Sequence, residues 1–182
     1  GGTCLVGQGI GYSVFVEFGG QITGMGGYAG LKDRYEAYQK AAGHTKPLST
    51  HIVTHHHQDH IQGIPEAYEM GAKLIMTPDS VDPVSDIIEG GLSKARYEVV
   101  EEDKEVAGLK LLRVNTSHAQ QNIMPYITAN KAIFQADHYG SPYEDALGGI
   151  QPSAIMMKNQ IEAKGVNVDI LISAHGRKLE NW

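Results

Sequence analysis

Between Thr54 and Ile61 the chain reads T-H-H-H-Q-D-H-I, which places His55, His57, Asp59 and His60 in the pattern H-x-H-x-D-H. So dense a set of imidazole and carboxylate groups is hard to explain by packing. These are the ligands that borderline ions such as Zn²⁺ prefer, and alternate side chains leaving a strand can converge on one point. The short β-type run from His51 to Thr54 feeds directly into the cluster. The cluster therefore sits at a strand's C-terminal end, and further ligands are expected at the ends of other strands.

The rest of the chain sets limits on that expectation. Its 182 residues suit one domain, 1–182, large enough to bury a core without disulfides or a structural metal. A net charge of -6 gives no broad basic surface for a phosphate backbone, so nucleic acid is not an expected partner. Cys4 is the only cysteine, which excludes an intrachain disulfide and a thiolate zinc cluster. The metal set must be His and carboxylate. No apolar run approaches the roughly 18 to 20 residues needed to span a bilayer, so a soluble protein without a membrane partner is expected. The start Gly1-Gly2 lacks Met, as a processed or truncated chain would, and leaves cytoplasmic and periplasmic or secreted locations both open. Oligomeric state is not legible.

Periodicity predicts interleaved strands and helices. A hairpin is expected from Tyr12–Phe18 through Gly19-Gly20 to Gln21–Thr23, then a helix over Leu31–Ala42 with Gly43 as its C-cap. After the cluster, Ile64–Met70 reads as a helix ending at Gly71 and Lys73–Thr77 as a strand. Asp82-Pro83 reads as an N-cap and first helical turn, with the helix running to Gly90. Three β-like runs follow, Tyr97–Val100, Lys110–Val114 and Lys131–Gln135. Ser153 is expected to cap a helix reaching Lys164 before the strand Asp169–Ser173. Such alternation implies layered α/β packing.

Three later positions repeat the layout of the first cluster, a β-like run delivering a metal-type side chain into a loop. They are His118 after Leu111–Val114, Asp137 after Ala132–Phe134 and His175 after Ile170–Ile172. Strand ends on one rim of a sheet are where α/β proteins place their sites. Together with the first cluster these donors suffice for two metal ions with positions left open for water.

The chain resembles the metallo-β-lactamase superfamily in T-H-H-H-Q-D-H at 54 to 60, S-H-A-Q-Q-N at 117 to 122, F-Q-A-D at 134 to 137 and A-H-G-R at 174 to 177. The resemblance implies a four-layer αββα sandwich, two mixed β-sheets with helices on the outer faces and a dinuclear metal centre on one rim. It also implies that His55, His57 and His118 hold one metal, that Asp59, His60 and His175 hold the other, and that Asp137 bridges them. Pro125-Tyr126 and His175-Gly176-Arg177 look closest to metallo-hydrolases of unassigned substrate.

There are departures as well. Many members carry an Asp in an early D-x-G turn, whereas the corresponding stretch here is Thr23-Gly24-Met25-Gly26-Gly27. The hydrogen bonds that such an Asp supplies behind the ligands must come from elsewhere. The cysteine ligand of one β-lactamase class is absent, and an Asp at the bridging position is more typical of glyoxalase, lactonase and phosphodiesterase relatives. A β-lactamase-like activity is therefore a minority reading.

The other histidines, His44, His51, His56 and His138, are read as non-ligands, with His56 alternating out of the ligand face. Tyr28, Tyr139 and Arg177 are candidate substrate contacts; Tyr12 and Tyr143 could also line a pocket, although loop tyrosines more often pack with the hydroxyl in water. The glycines from Gly7 to Gly11 lack the helix and Lys of a phosphate loop.

The expected activity is that of a metallo-hydrolase with two divalent ions, zinc in the first instance and iron or manganese as alternatives. A shared water loses its proton near neutral pH, and the bridging hydroxide attacks an ester, lactone, thioester or related bond. Asp59 orients that hydroxide, takes up its proton and can pass it to the leaving group. Two ions at +2 against two carboxylates and one hydroxide leave roughly +1, which favours a polar or anionic small-molecule substrate. Rival readings are an iron-dependent oxidoreductase or dioxygenase on the same ligands and a metal-stabilised binding module. Which bond is cleaved depends on loops that the sequence does not decode.

Overall fold

Gly19 and Gly20 both have positive φ, 58° and 81°, the pair of values that a two-residue type I′ turn demands. They join β2 (Gly11–Phe18) to β3 (Gln21–Met25) in antiparallel register, with Phe18 opposite Gln21. The computed structural model describes residues 2–9, 11–140, 150–175 and 180–182. The chain divides into two compact units, Gly1–Glu101 and Glu102–Trp182.

In the first unit β1 (Thr3–Gln8) precedes the hairpin. It is followed by α1 (Leu31–Ala42), β4 (Leu48–Ile52), α2 (Gln58–Ile61), α3 (Ile64–Glu69), β5 (Lys73–Met76), α4 (Val81–Ile87) and β6 (Tyr97–Val99). The strands form one sheet in chain order, antiparallel from β1 to β3 and parallel from β3 to β6. Parallel neighbours need crossovers, and α1 supplies the first. Its residues Leu31, Tyr35 and Tyr38 share one face at helical spacing and are buried with Phe15 of β2. The Phe15 ring packs edge-on to Tyr35 at 5.1 Å and stacks with Tyr38 at 5.2 Å. At the start of α1, Glu66 of α3 accepts from the backbone N–H groups of Gly30 (3.0 Å) and Lys32 (2.6 Å), two of the donors a helix N-terminus leaves open.

The second unit contains β7 (Lys104–Val106), β8 (Leu109–Val114), β9 (Asn122–Ile127), β10 (Ala132–Gln135), α5 (Pro152–Ala163), β11 (Ile170–Ser173) and β12 (Glu180–Asn181). The sheet order is β12-β11-β10-β9-β8-β7, antiparallel except for the parallel pair β10 and β11 that α5 connects. Met157 and Ile161 of α5 are buried with Leu112, Met124, Ile133 and Leu171. Among the described residues no helix is long and apolar enough to cross a membrane.

The differences from expectation lie mostly at element ends. The fourth helix begins at Val81 after a 3-10 turn over Pro78–Ser80, so Asp82 is inside the helix and Ser80 takes the N-cap position, its hydroxyl on Thr77 Oγ1; the helix ends at Ile87, before Gly90. Likewise α5 starts at Pro152, whose missing N–H costs nothing at a first helical position, so Gln151 takes the cap and Ser153 lies in the first turn. Thr3–Gln8, Lys104–Val106, Asn122–Ile127 and Glu180–Asn181 are strands that periodicity did not announce.

Candidate metal centre

In the first unit the donors follow β4, a strand with parallel neighbours on both sides, so they leave from its carboxyl end. His55 and His57 lie in the extended connection and present ligand atoms within 4.8 Å of each other. Their rings are edge-on at 4.4 Å. Asp59 and His60 stand on the single turn of α2, which begins immediately after His57. That turn reverses the chain, so the His60 ring lies 4.6 Å from His55 and its Nε2 sits 3.3 Å from Asp59 Oδ2. Tyr28 donates its hydroxyl to the same Oδ2 at 3.2 Å. His60 is buried, whereas the Asp59 side chain is 47% exposed and within reach of solvent.

In the second unit β8, β10 and β11 all run in one direction and end on one edge of the sheet. His118, Asp137 and His175 emerge from the loops at that edge. Asp137 stands between the two imidazoles: its Oδ2 is 3.0 Å from His118 Nε2 and its Oδ1 is 2.5 Å from His175 Nε2. One carboxylate thus meets an imidazole nitrogen at each of its oxygens. Burial pushes the pKa of His175 down, which favours the neutral imidazole that a metal requires. The Asp137 backbone has φ 67°, in the left-handed region that few residues other than glycine adopt.

No family model and no curated protein matches the sequence. Solved structures do match. A metallo-β-lactamase from Hirschia baltica has 19% identity over 98% of this chain and 92% of its own, with a TM-score of 0.72. FIM-1 from Pseudomonas aeruginosa, in its mono-zinc form, has 14% identity over 98% and 89% with a TM-score of 0.71. A metallo-β-lactamase from Pontibacter korlensis has 10% identity over 98% and 87% with a TM-score of 0.68.

The chain has the metallo-β-lactamase fold. Its two mixed sheets with helices are those of the αββα sandwich that the sequence predicts. At such identities the likeness carries the fold and leaves the substrate open.

Where many proteins of this fold carry the D-x-G aspartate, this chain uses other groups. Arg34 of α1 is 2% exposed and donates to Tyr28 O (2.6 Å), Ala29 O (2.9 Å) and Ser13 Oγ (2.9 Å). Ser13 in turn donates to Gly26 O at 2.6 Å. The loop after β3 is thus fastened by its carbonyls, and Gly63 N–H bonds Gly27 O at 2.8 Å. Two glycines make the approach achievable: a Cβ on Gly27 would lie 2.0 Å from His60 O, and one on Gly63 would lie 2.1 Å from Tyr28 O. Tyr28 reaches Asp59 from this clamped loop. Neither Arg34 nor Ser13 carries a sequence signal for such a role, because nothing in a helix face or a strand distinguishes a residue that binds another segment's carbonyls.

Of the proposed substrate contacts, Tyr28 is 8% exposed with its hydroxyl on Asp59, and Tyr139 packs beside the apolar cluster of the second unit. Arg177 and Tyr143 lie outside the described residues. The remaining histidines have other partners or none. His56 Nδ1 is 3.5 Å from Asp79, His44 Nε2 is 3.3 Å from the Tyr38 hydroxyl, and His138 bonds through both ring nitrogens to Ala136 O and Thr116. His51 is fully buried with neither nitrogen hydrogen-bonded.

Proposed function

We propose that this protein is a dinuclear metallo-hydrolase of one domain, 1–182, acting on a polar or anionic small molecule through an ester, lactone, thioester or related bond. In this reading His55, His57 and His118 hold one ion, Asp59, His60 and His175 hold the other, and Asp137 belongs to both. The observation that carries it is Asp137, whose two oxygens each face a different histidine Nε2 at 3.0 and 2.5 Å. Hard and borderline donors of this kind suit zinc, with iron and manganese as alternatives. Bound divalent ions would supply Lewis-acid polarisation of the substrate oxygen and a water acidic enough to ionise near neutrality.

The chain's own residues supply the rest. Asp59, held at Oδ2 by the Tyr28 hydroxyl and beside His60 Nε2, orients the attacking water, accepts its proton and returns it to the leaving group. Burial of His60 and of His55 keeps bulk water from their ring faces.

The test joins metal analysis to a substrate panel of a lactone, a thioester, a phosphodiester, a phosphonate and a β-lactam. Hydrolysis of at least one, with metal retained by the protein and both activity and metal lost in His118→Ala, is the expected result. A single redox-active iron per chain without any hydrolysis overturns the proposal.

A further inference from the structure

The ligands of the second unit sit on separate loops, yet one buried network ties their backbones together. At its centre is Gln135, the last residue of β10, which is 0% exposed and pairs with Ser173, the last residue of β11. Its Oε1 accepts from His138 N at 2.9 Å and from Tyr139 N at 3.2 Å, directly after the left-handed turn at Asp137. Its Nε2 donates to Ser173 Oγ at 2.8 Å and to Tyr139 O. Ser173 donates its own hydroxyl to Tyr139 O at 2.6 Å and accepts from His175 N at 3.2 Å.

The network continues to the third ligand. His138 Nδ1 lies 2.6 Å from Ala136 O, which can only accept, so the proton is on Nδ1 and Nε2 must accept. The donor to Nε2 is the Thr116 hydroxyl at 2.7 Å. That leaves Thr116 Oγ1 to accept from His118 N at 3.2 Å and Ala119 N at 3.5 Å. Every hydrogen-bonding group of the Gln135 amide is used; it is one hydrogen bond from the residue after Asp137, two from the His175 amide and three from the His118 amide.

We propose that Gln135 is a positioning residue that sets His118, Asp137 and His175 in ligand geometry before any ion binds. The proposal rests on the dinuclear reading for what those ligands hold. Gln135 bonds the two amides after Asp137 and the hydroxyl that carries the His175 amide. Its acceptor bonds hold the Asp137 turn, a left-handed conformation that persists where its surroundings impose it. No ion is needed for any of these bonds.

The test uses the full chain with Gln135→Met, which keeps the length and removes all the hydrogen bonds, and with Gln135→Glu, which keeps acceptors for His138 N and Tyr139 N. In the metal-free wild type, the amides of His118, His138, Tyr139 and His175 should exchange slowly with solvent. In Gln135→Met those of His138, Tyr139 and His175 should lose that protection, and Co²⁺ affinity measured against a competing chelator should fall roughly 10- to 100-fold, the loss usual for groups behind metal ligands. Gln135→Glu should recover part of the affinity and the protection of His138 and Tyr139. Should Gln135→Met not fold, Ser173→Ala removes the hydroxyl that joins the Gln135 amide to the His175 amide and leaves the Gln135 Oε1 bonds to His138 N and Tyr139 N, so it should expose the His175 amide alone. Fast exchange of these amides in the metal-free wild type, or equal Co²⁺ affinity in wild type and Gln135→Met, overturns the proposal. A wild type that takes up no Co²⁺ at all overturns the dinuclear reading as well, so the two failures are told apart.

Discussion

His51 should make the fold of this protein acid-labile in a way that one substitution removes. The imidazole is fully buried on β4, both nitrogens lack hydrogen-bond partners, and its Nδ1 fills the space beside Gly24, where a Cβ would come within 2.7 Å of it. Burial and the nearby Arg34 guanidinium, the charged group that bears on it, push its pKa from 6.5 down to about 3. The native state therefore refuses a proton that the unfolded chain accepts. The folded pKa is the lower one, so the stability His51 allows is present above pH 6.5 and is lost as pH falls toward 3. The loss is roughly tenfold in folding constant per pH unit, or about 3 kcal/mol between pH 7 and pH 4. Urea unfolding of the metal-free wild type and of His51→Leu at both pH values measures this as a difference of differences, in which the other histidines cancel. His51→Leu should lose about 3 kcal/mol less than the wild type. Equal losses in the two proteins would show that the native interior accommodates a charged His51 and would refute the reasoning.

Two further outcomes follow from the loop after β3. Gly27→Ala places a methyl group 2.0 Å from the His60 carbonyl oxygen, backbone against backbone, so the loop must move; thermal unfolding should show a loss of about 2 to 3 kcal/mol, and unchanged stability would mean the close approach is not maintained in solution. Tyr28→Phe removes the hydroxyl on Asp59 Oδ2 and little else, so kcat for any substrate found should fall by roughly tenfold with metal content unchanged. If KM rises instead while kcat holds, Tyr28 contacts substrate and does not orient Asp59.

Elements with a clean period were legible in the sequence. Leu31, Tyr35 and Tyr38 mark the buried face of α1, and the Gly19-Gly20 pair marks the hairpin, because a helix face and a two-glycine turn each have a local cause. β9 had none: all of its residues are buried, so it shows no alternation, and Pro125 argues against a central strand. The structure accommodates Pro125 because β9 pairs with β10 only through Tyr126 and Ile127, while its pairing with β8 places Pro125 opposite Leu111. β1 is half-exposed and β7 is three residues long, so neither carries a burial pattern that would distinguish it from a loop. The candidate donors were legible because they are chemically unusual for their positions; Arg34, Ser13, Thr116, Gln135 and Ser173 are ordinary residues whose partners lie far away in the chain.

What the sequence could not express is that the donors of the second unit depend on strand register. Gln135 pairs with Ser173 across the parallel β10 and β11, and Asp137 and His175 each follow their partner by two residues. A slip of one residue would set Gln135 against Ile172 or Ala174 and turn the Ser173 hydroxyl to the opposite face, away from the Gln135 amide. The apolar residues resist that slip. Ile133 pairs with Leu171, and both lie in the buried cluster beneath α5, so a strand shifted by one residue would replace Leu171 there with the differently shaped Ile170 or Ile172 and disturb a close-packed core. Burial of Ile133 and Leu171 thus fixes the register, the register brings Gln135 to Ser173, and that contact places Asp137 between His118 and His175. A core substitution such as Leu171→Ala should therefore loosen the donors as well as the fold, although it touches none of them.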